Sequence, residues 1–113
     1  MIFRIRRYQV VPGKTEAFND FFLTRLFPVQ KRYGARLVGR FQTDDGLQIV
    51  AVWVYRSFDH YKEVQGLVAE DADSIAAQEY RRQVLDPLFT ETDESFMTST
   101  VPMALTELSH LEA

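Results

Sequence analysis

Residues 47–55 read LQIVAVWVY. Eight of these nine residues are apolar. Their β-branched and aromatic side chains mark a strand. Ile49, Ala51, Trp53 and Tyr55 fall on one face of it, and Val50, Val52 and Val54 on the other. A strand with one face in water alternates apolar with polar residues. This one does not, so both of its faces need cover.

The flanking segments fix the order of elements. TDDGLQ (43–48) is a hairpin turn, because Asp-Gly accepts the positive φ angles of tight turns. The turn joins the strand to ARLVGRFQT (35–43), where Leu37, Gly39 and Phe41 are expected on one side. Residues 2–10, IFRIRRYQV, alternate as a strand with Ile2, Arg4, Arg6, Tyr8 and Val10 on a common face. Pro12 and Gly13 break that strand, and Thr15 or a near neighbour caps a helix with apolar positions 18, 21, 22, 26 and 29. Pro28 should kink or end this helix, and Gly34 stops it. Ser57 caps a second helical region with the stripe Phe58, Tyr61, Val64, Leu67 and Val68. Fresh caps at Asp71 or Asp73 lead into a face of Ile75, Ala76, Tyr80, Val84 and Leu88, broken near Pro87. ESFMTSTVP (94–102) reads as a fourth, shorter strand.

Strand, helix, strand, strand, helix, strand is the split βαβ pattern: an α+β, ferredoxin-like βαββαβ antiparallel sheet with helices on one face. Right-handed crossovers put the first and third strands at its centre. The domain is expected over residues 1–101, followed by a tail, 102–113, that forms a short helix or an arm over a partner. Both helical regions are needed on the same side, so the other side of the third strand calls for a second copy packed sheet to sheet. About 800 Å² per partner is a standard interface, and if half is apolar the gross gain is about 10 kcal/mol per partner before association costs. The other solution is a tail folded back over the sheet.

The 113 residues suit one domain, and 46% hydrophobic with 26% charged content is that of a globular protein. The formal charge of −3, with basic residues interleaved among acids, argues against a nucleic-acid partner. Cysteine is absent, which excludes disulfides and thiolate chemistry and suits a reducing compartment. No apolar run reaches the roughly 20 residues of a membrane span, and MIFRIRRYQ has no signal-peptide core. The expectation is a cytoplasmic protein without membrane insertion.

IRRYQVVPGK, LVGRFQTDDG and QIVAVWVYRSFD together resemble the NIPSNAP family of the dimeric α/β-barrel superfamily. The shared pattern is an Arg-x-Tyr strand running into Pro-Gly-Lys, a glycine before a Thr-x-x-Gly hairpin, and a Trp-x-Tyr-x-Ser strand end. It falls on Arg6, Tyr8, Pro12, Gly13, Lys14, Gly39, Thr43, Gly46, Trp53, Tyr55 and Ser57. The chain departs from the family in carrying Arg4 where members often have an acid, and DADSIAAQEY where they often have Asp-x-x-Trp. The resemblance implies the fold and a homodimer rather than one chemistry. Across the superfamily it implies cofactor-independent oxygenation of an electron-rich aromatic, or isomerisation by proton transfer.

Arg4, Arg6 and Tyr8 share a face of a central strand. An arginine stays charged, so burial demands partners. One reading pairs it with Asp20, Glu63 or Glu79, with Arg4 snorkelling at the strand's end. The other is a cavity between sheet and helices, where Arg6 forks an anionic group, Tyr8 orients it, and Trp53 and Tyr55 wall in an apolar body. Trp53 also reads as a core aromatic. Tyr8, Tyr55 and His60 are the candidates for proton transfer, although His60, in the first turn of a helix, equally reads as a solvated surface residue. His110 lies in the tail. Two histidines 50 residues apart with no cysteine do not make a zinc or haem site, and no phosphate loop or serine elbow occurs. No metal and no cofactor is expected. Two functions therefore stand side by side: a homodimer binding a small, mostly apolar, anionic molecule, or a non-enzymatic interaction module whose core its own side chains fill.

Overall fold

The computed structural model describes residues 1–102. The later tail, with His110, lies outside the described residues. Alternation at the N-terminus becomes β1 (Ile2–Val10). Gly13, at φ 87°, then turns the chain into α1 (Thr15–Phe21). Its axis continues through a π-helical turn (Phe22–Leu26) into α2 (Phe27–Arg32). Pro28 does not end this helix. It stands at the start of α2, where the looser π turn before it already lacks the ordinary bond pattern and no N–H is missed. Next come β2 (Arg36–Gln42), β3 (Gln48–Tyr55) and α3 (Phe58–Glu70), capped by Ser57 Oγ accepting from His60 N. The second cap, Asp71, accepts from the backbone N–H groups of Asp73 and Ser74 and starts α4 (Ala72–Tyr80). A second π-helical turn (Arg81–Leu85) and β4 (Phe89–Met97) follow. At nine residues β4 is as long as β1, so it is not the shorter strand that the sequence suggests.

The strands form one antiparallel sheet in the order β2-β3-β1-β4, with β3 and β1 central as the crossover rule requires. This is the ferredoxin-like α+β fold. Helices cover the face carrying Ile49, Ala51, Trp53 and Tyr55, all buried. Two apolar clusters fill the space between. One gathers Phe22, Val29, Trp53, Tyr55, Val64 and Val68, and the other Val10, Phe18, Phe21, Ile49, Ala77 and Leu88. No helix among the described residues is long and apolar enough to cross a membrane.

Two expected faces are wrong in phase. In β2, Leu37 pairs with Trp53 but Gly39 pairs with the next residue, Val52, so Val38 is an extra residue in the ladder. The bulge puts Leu37 on the helix side and Gly39 and Phe41 on the open side. In α4 the buried residue is Ala77, whereas Ile75 and Val84 are exposed. The second π-helical turn takes more residues per turn than an α-helix, and so rotates Val84 away from the stripe that a 3.6-residue period would give it.

The hairpin turn depends on Gly46, at φ 73°. Thr15 Oγ1 donates to its carbonyl at 2.7 Å, which pins the hairpin to the start of α1. A Cβ at Gly46 would lie 2.8 Å from the same Oγ1. Gly46→Ala is therefore expected to lower unfolding free energy by about 1–3 kcal/mol, for the left-handed backbone and the displaced Thr15 together. Urea denaturation reads this directly. An unchanged midpoint would mean that hairpin and helix are not tied at this point.

Candidate functional site

Strand register places one row of side chains across the whole sheet on its helix-covered face. Glu94 on β4 lies opposite Arg6 on β1, Arg6 opposite Ala51 on β3, and Ala51 opposite Arg40 on β2. The neighbouring rows carry Arg4 beside Trp53 and Tyr8 beside Ile49. Between this face and the helices is a cavity of about 310 Å³. Its polar wall is Arg4, Arg6, Arg40 and Arg81 with Tyr8, Gln30, Gln65 and Gln78, and no carboxylate of the described residues lines it. Its apolar wall includes Phe18, Phe22, Leu26, Trp53 and Phe89. Both π-helical turns border it, the first through Phe22 and Leu26 and the second through Arg81. The guanidinium of Arg25 stacks 3.9 Å from the centre of the Tyr80 ring and ties the two helical walls together.

The four arginines differ in how their charge is met. Arg4 is buried, 7% exposed, and does not snorkel. Burial pulls its pKa down, but the hydrogen bond to Glu94 Oε1 and the facing phenols of Tyr61 and Tyr55 outweigh this and leave it above the ordinary arginine range. Arg6 reaches the same carboxylate at 3.8 Å, donates to Thr92 Oγ1 at 3.3 Å and lies over the Tyr8 ring. Among the described residues the acid serving Arg4 and Arg6 is thus Glu94, on the adjacent strand, and not Asp20, Glu63 or Glu79. Arg81 sets Nη1 against both oxygens of Asp86 at 3.1 and 2.9 Å.

Arg40 has no carboxylate among the described residues. Its Nη1 donates to Asn19 Oδ1, and its guanidinium lies over the rings of Phe18 and Phe22 at 4.8 and 4.5 Å. Burial pushes its pKa down to about 10, with Tyr8 the opposing influence. Two nitrogens on this wall, Arg6 Nε and Arg40 Nη2, are buried with no hydrogen-bond partner among the described residues. A buried N–H left unpaired costs about 1–3 kcal/mol. Both lie on the wall of the same cavity.

The aromatic candidates separate. Tyr8 is wedged edge-on between Phe18 and Phe89, each 5.1 Å away, and lines the cavity. Trp53 lines it too, packed against Phe22 and Phe27. Tyr55 does not. It is 1% exposed, its hydroxyl accepts from Gln65 Nε2 at 3.3 Å, and burial raises its pKa. Gln65 itself lines the cavity, so Tyr55 stands one side chain behind the wall. His60 is elsewhere, beside an open groove with Tyr33 and Arg36. Its Nδ1 accepts from the backbone N–H of Arg56 at 3.1 Å, and burial, then the charge of Arg56, lowers its pKa. The imidazole is neutral at pH 7 with that lone pair engaged. Arg40, Arg81 and Glu94 went unread in the sequence, and Ala51 was read only as part of the β3 face. Counting back from the Asp-Gly turn places Arg40 opposite Ala51, and that was the available signal.

The NIPSNAP family model matches residues 3–103. The chain belongs to the NIPSNAP family. Among solved structures, a NIPSNAP family protein from Agrobacterium tumefaciens strain C58 is 26% identical, with TM-score 0.76 over 88% of this chain and 92% of that one. An uncharacterised NIPSNAP domain protein from Burkholderia xenovorans is 25% identical, with TM-score 0.74 over 92% and 96%. A Nitrosomonas europaea protein provisionally described as an antibiotic biosynthesis monooxygenase aligns with TM-score 0.65 at 16% identity, over 89% of this chain and 100% of that one. At that identity the likeness is one of fold. No curated protein matches the NIPSNAP chain at a significant level.

Proposed function

We propose that this NIPSNAP domain binds a small, largely apolar molecule by an anionic group, in the cavity between sheet and helices. The observation that carries the reading is the pair of buried N–H groups on Arg6 and Arg40 that have no partner among the described residues, in a cavity that arginines and no described carboxylate line. Oxygens of an anion satisfy both, and a charge-assisted bond to guanidinium is among the strongest polar contacts available. Tyr8 orients the anion, Trp53 and the phenylalanine rings hold the apolar body, and Tyr55 acts through Gln65. Of the three proton-transfer candidates, Tyr8 alone lines this cavity. Isomerisation or oxygenation here would pass through it, while His60 serves the turn into α3.

Thermal shift against a panel of aromatic carboxylates tests the reading. Stabilisation that disappears in Arg6→Ala, with far-UV circular dichroism unchanged, supports it. No shift across the panel favours the rival, an interaction module with a self-filled core. The pH profile is a second test. Binding needs the Arg40 cation, so affinity should be flat from about pH 6 to about pH 9 and fall as pH rises through about 10, where the free protein loses that proton. A fall with rising pH on the acid side of the ordinary histidine range would instead mark His60, whose pKa is lowered, as the group that matters.

The partner we propose is a second copy of the chain. The open face of the sheet carries Phe3, Ile5, Val50, Val52, Phe41 and Met97 among its residues. Phe41 is 61% exposed, with its ring laid over the missing side chain of Gly39. Such a face suits sheet-to-sheet packing.

A further inference from the structure

The binding reading leaves the charge of the anion open, and the cavity wall holds enough to fix it. Of its four guanidinium groups, Arg81 is matched by Asp86, and Arg4 and Arg6 share the single carboxylate of Glu94. Among the described residues Arg40 meets an amide oxygen and two ring faces. Two positive charges are thus left over. They are also set apart: Arg6 and Arg40 stand on either side of Ala51 in one row, two strand spacings or about 10 Å between their α-carbons. Ala51 puts only a methyl group between them, so both guanidinium groups can reach over the floor of the cavity toward a common ligand.

We infer that the ligand of this cavity is a dianion on an apolar body. Either two carboxylates, one for Arg6 and one for Arg40, or a single doubly charged phosphate monoester bridging them would meet the leftover charge. A monocarboxylate would leave one buried cation uncompensated, in a place where water cannot fully solvate it. The inference rests on the binding reading and adds the charge of its ligand.

The test uses three probes with the same ring: benzoate, phthalate and phenyl phosphate. The ¹H–¹⁵N signals of the arginine Nε groups are followed in the labelled full-length protein at pH 8 and about 0.15 M salt. Each additional charged contact is worth about 1.5–3 kcal/mol, so phthalate, phenyl phosphate or both should bind at least about tenfold more tightly than benzoate. Whichever dianion wins tells a dicarboxylate from a phosphate ester. Arg40→Gln should bring that dianion to the benzoate level, with the fold verified by circular dichroism. Should Arg40→Gln fail to fold, the salt dependence of the unaltered protein serves instead, with a slope of log affinity about twice as steep for the dianion as for benzoate. Equal affinities and equal slopes for all three probes would overturn the dianion while leaving the anion site standing. No binding by any of them, at concentrations up to those that perturb the protein generally, would overturn both.

Discussion

Arg40→Met is expected to raise the melting temperature of the ligand-free protein and to cut its response to a dianion to the level of a monocarboxylate. The guanidinium is held in a poorly solvated place with no carboxylate, and its pKa of about 10 measures that penalty. Converted at 1.36 kcal/mol per pKa unit and reduced for its partial exposure to solvent, the penalty is roughly 1–3 kcal/mol. Methionine keeps the volume against Phe18 and Phe22 and replaces cation–π contacts with sulfur–aromatic ones of similar size. The loss at Asn19 is modest, because its amide stays bonded to Gln42 and the residue is only half-buried. The net gain is then about 1–2 kcal/mol, or several degrees in a domain of this size. The pH dependence carries the opposite sign to that of a salt-bridged arginine. Below about pH 10 the folded protein keeps a proton it holds poorly and the penalty is present in full. Above it, the folded state sheds the proton before the unfolded chain does, and the unaltered protein recovers stability relative to the variant. Calorimetry at pH 7.5 and pH 10.5 reads both effects. A variant that melts lower at both pH values would make Arg40 a structural brace and not a binding cation.

Val52→Arg is expected to convert the proposed dimer to monomers. Val52 sits mid-strand on the open face, in a row with Ile5 and Gly39. Facing a second sheet, its arginine would be buried without a partner, a change that costs several kcal/mol and raises the dissociation constant by two orders of magnitude or more. Facing water, the same side chain is harmless. Sedimentation velocity at micromolar concentration should give the unaltered protein twice the 13.2 kDa of the chain, and the variant the chain mass. An unaltered protein that sediments at 13.2 kDa ends the dimer proposal.

The order of elements was legible because it rests on strong local signals: period-two alternation in β1, the Asp-Gly turn, and the Ser57 and Asp71 caps. The doubly apolar β3 likewise announced a covered face on one side and an apolar open one on the other. What escaped were departures from a fixed period. The bulge at Val38 is marked only by the glycine that follows it, Gly39, which does not say which residue is extra, yet it reverses every later face in β2. The π-helical turns similarly shift phase, and the prolines that follow them, Pro28 and Pro87, read as helix ends rather than as a change of period. Glu94 escaped for a different reason. It lies 90 residues from Arg4, and only the pairing of β1 with β4 brings them together. The acids favoured by sequence were those on helices, whereas the one used sits on the neighbouring strand.

Ala51 gives the sheet a tuning point that carries no charge. Its methyl group stands between two like-charged side chains on different strands. A valine or leucine there would rise between them and turn a shared floor into two separate alcoves. Volume alone at this one position would thus reshape the cavity floor, with every arginine left where it is.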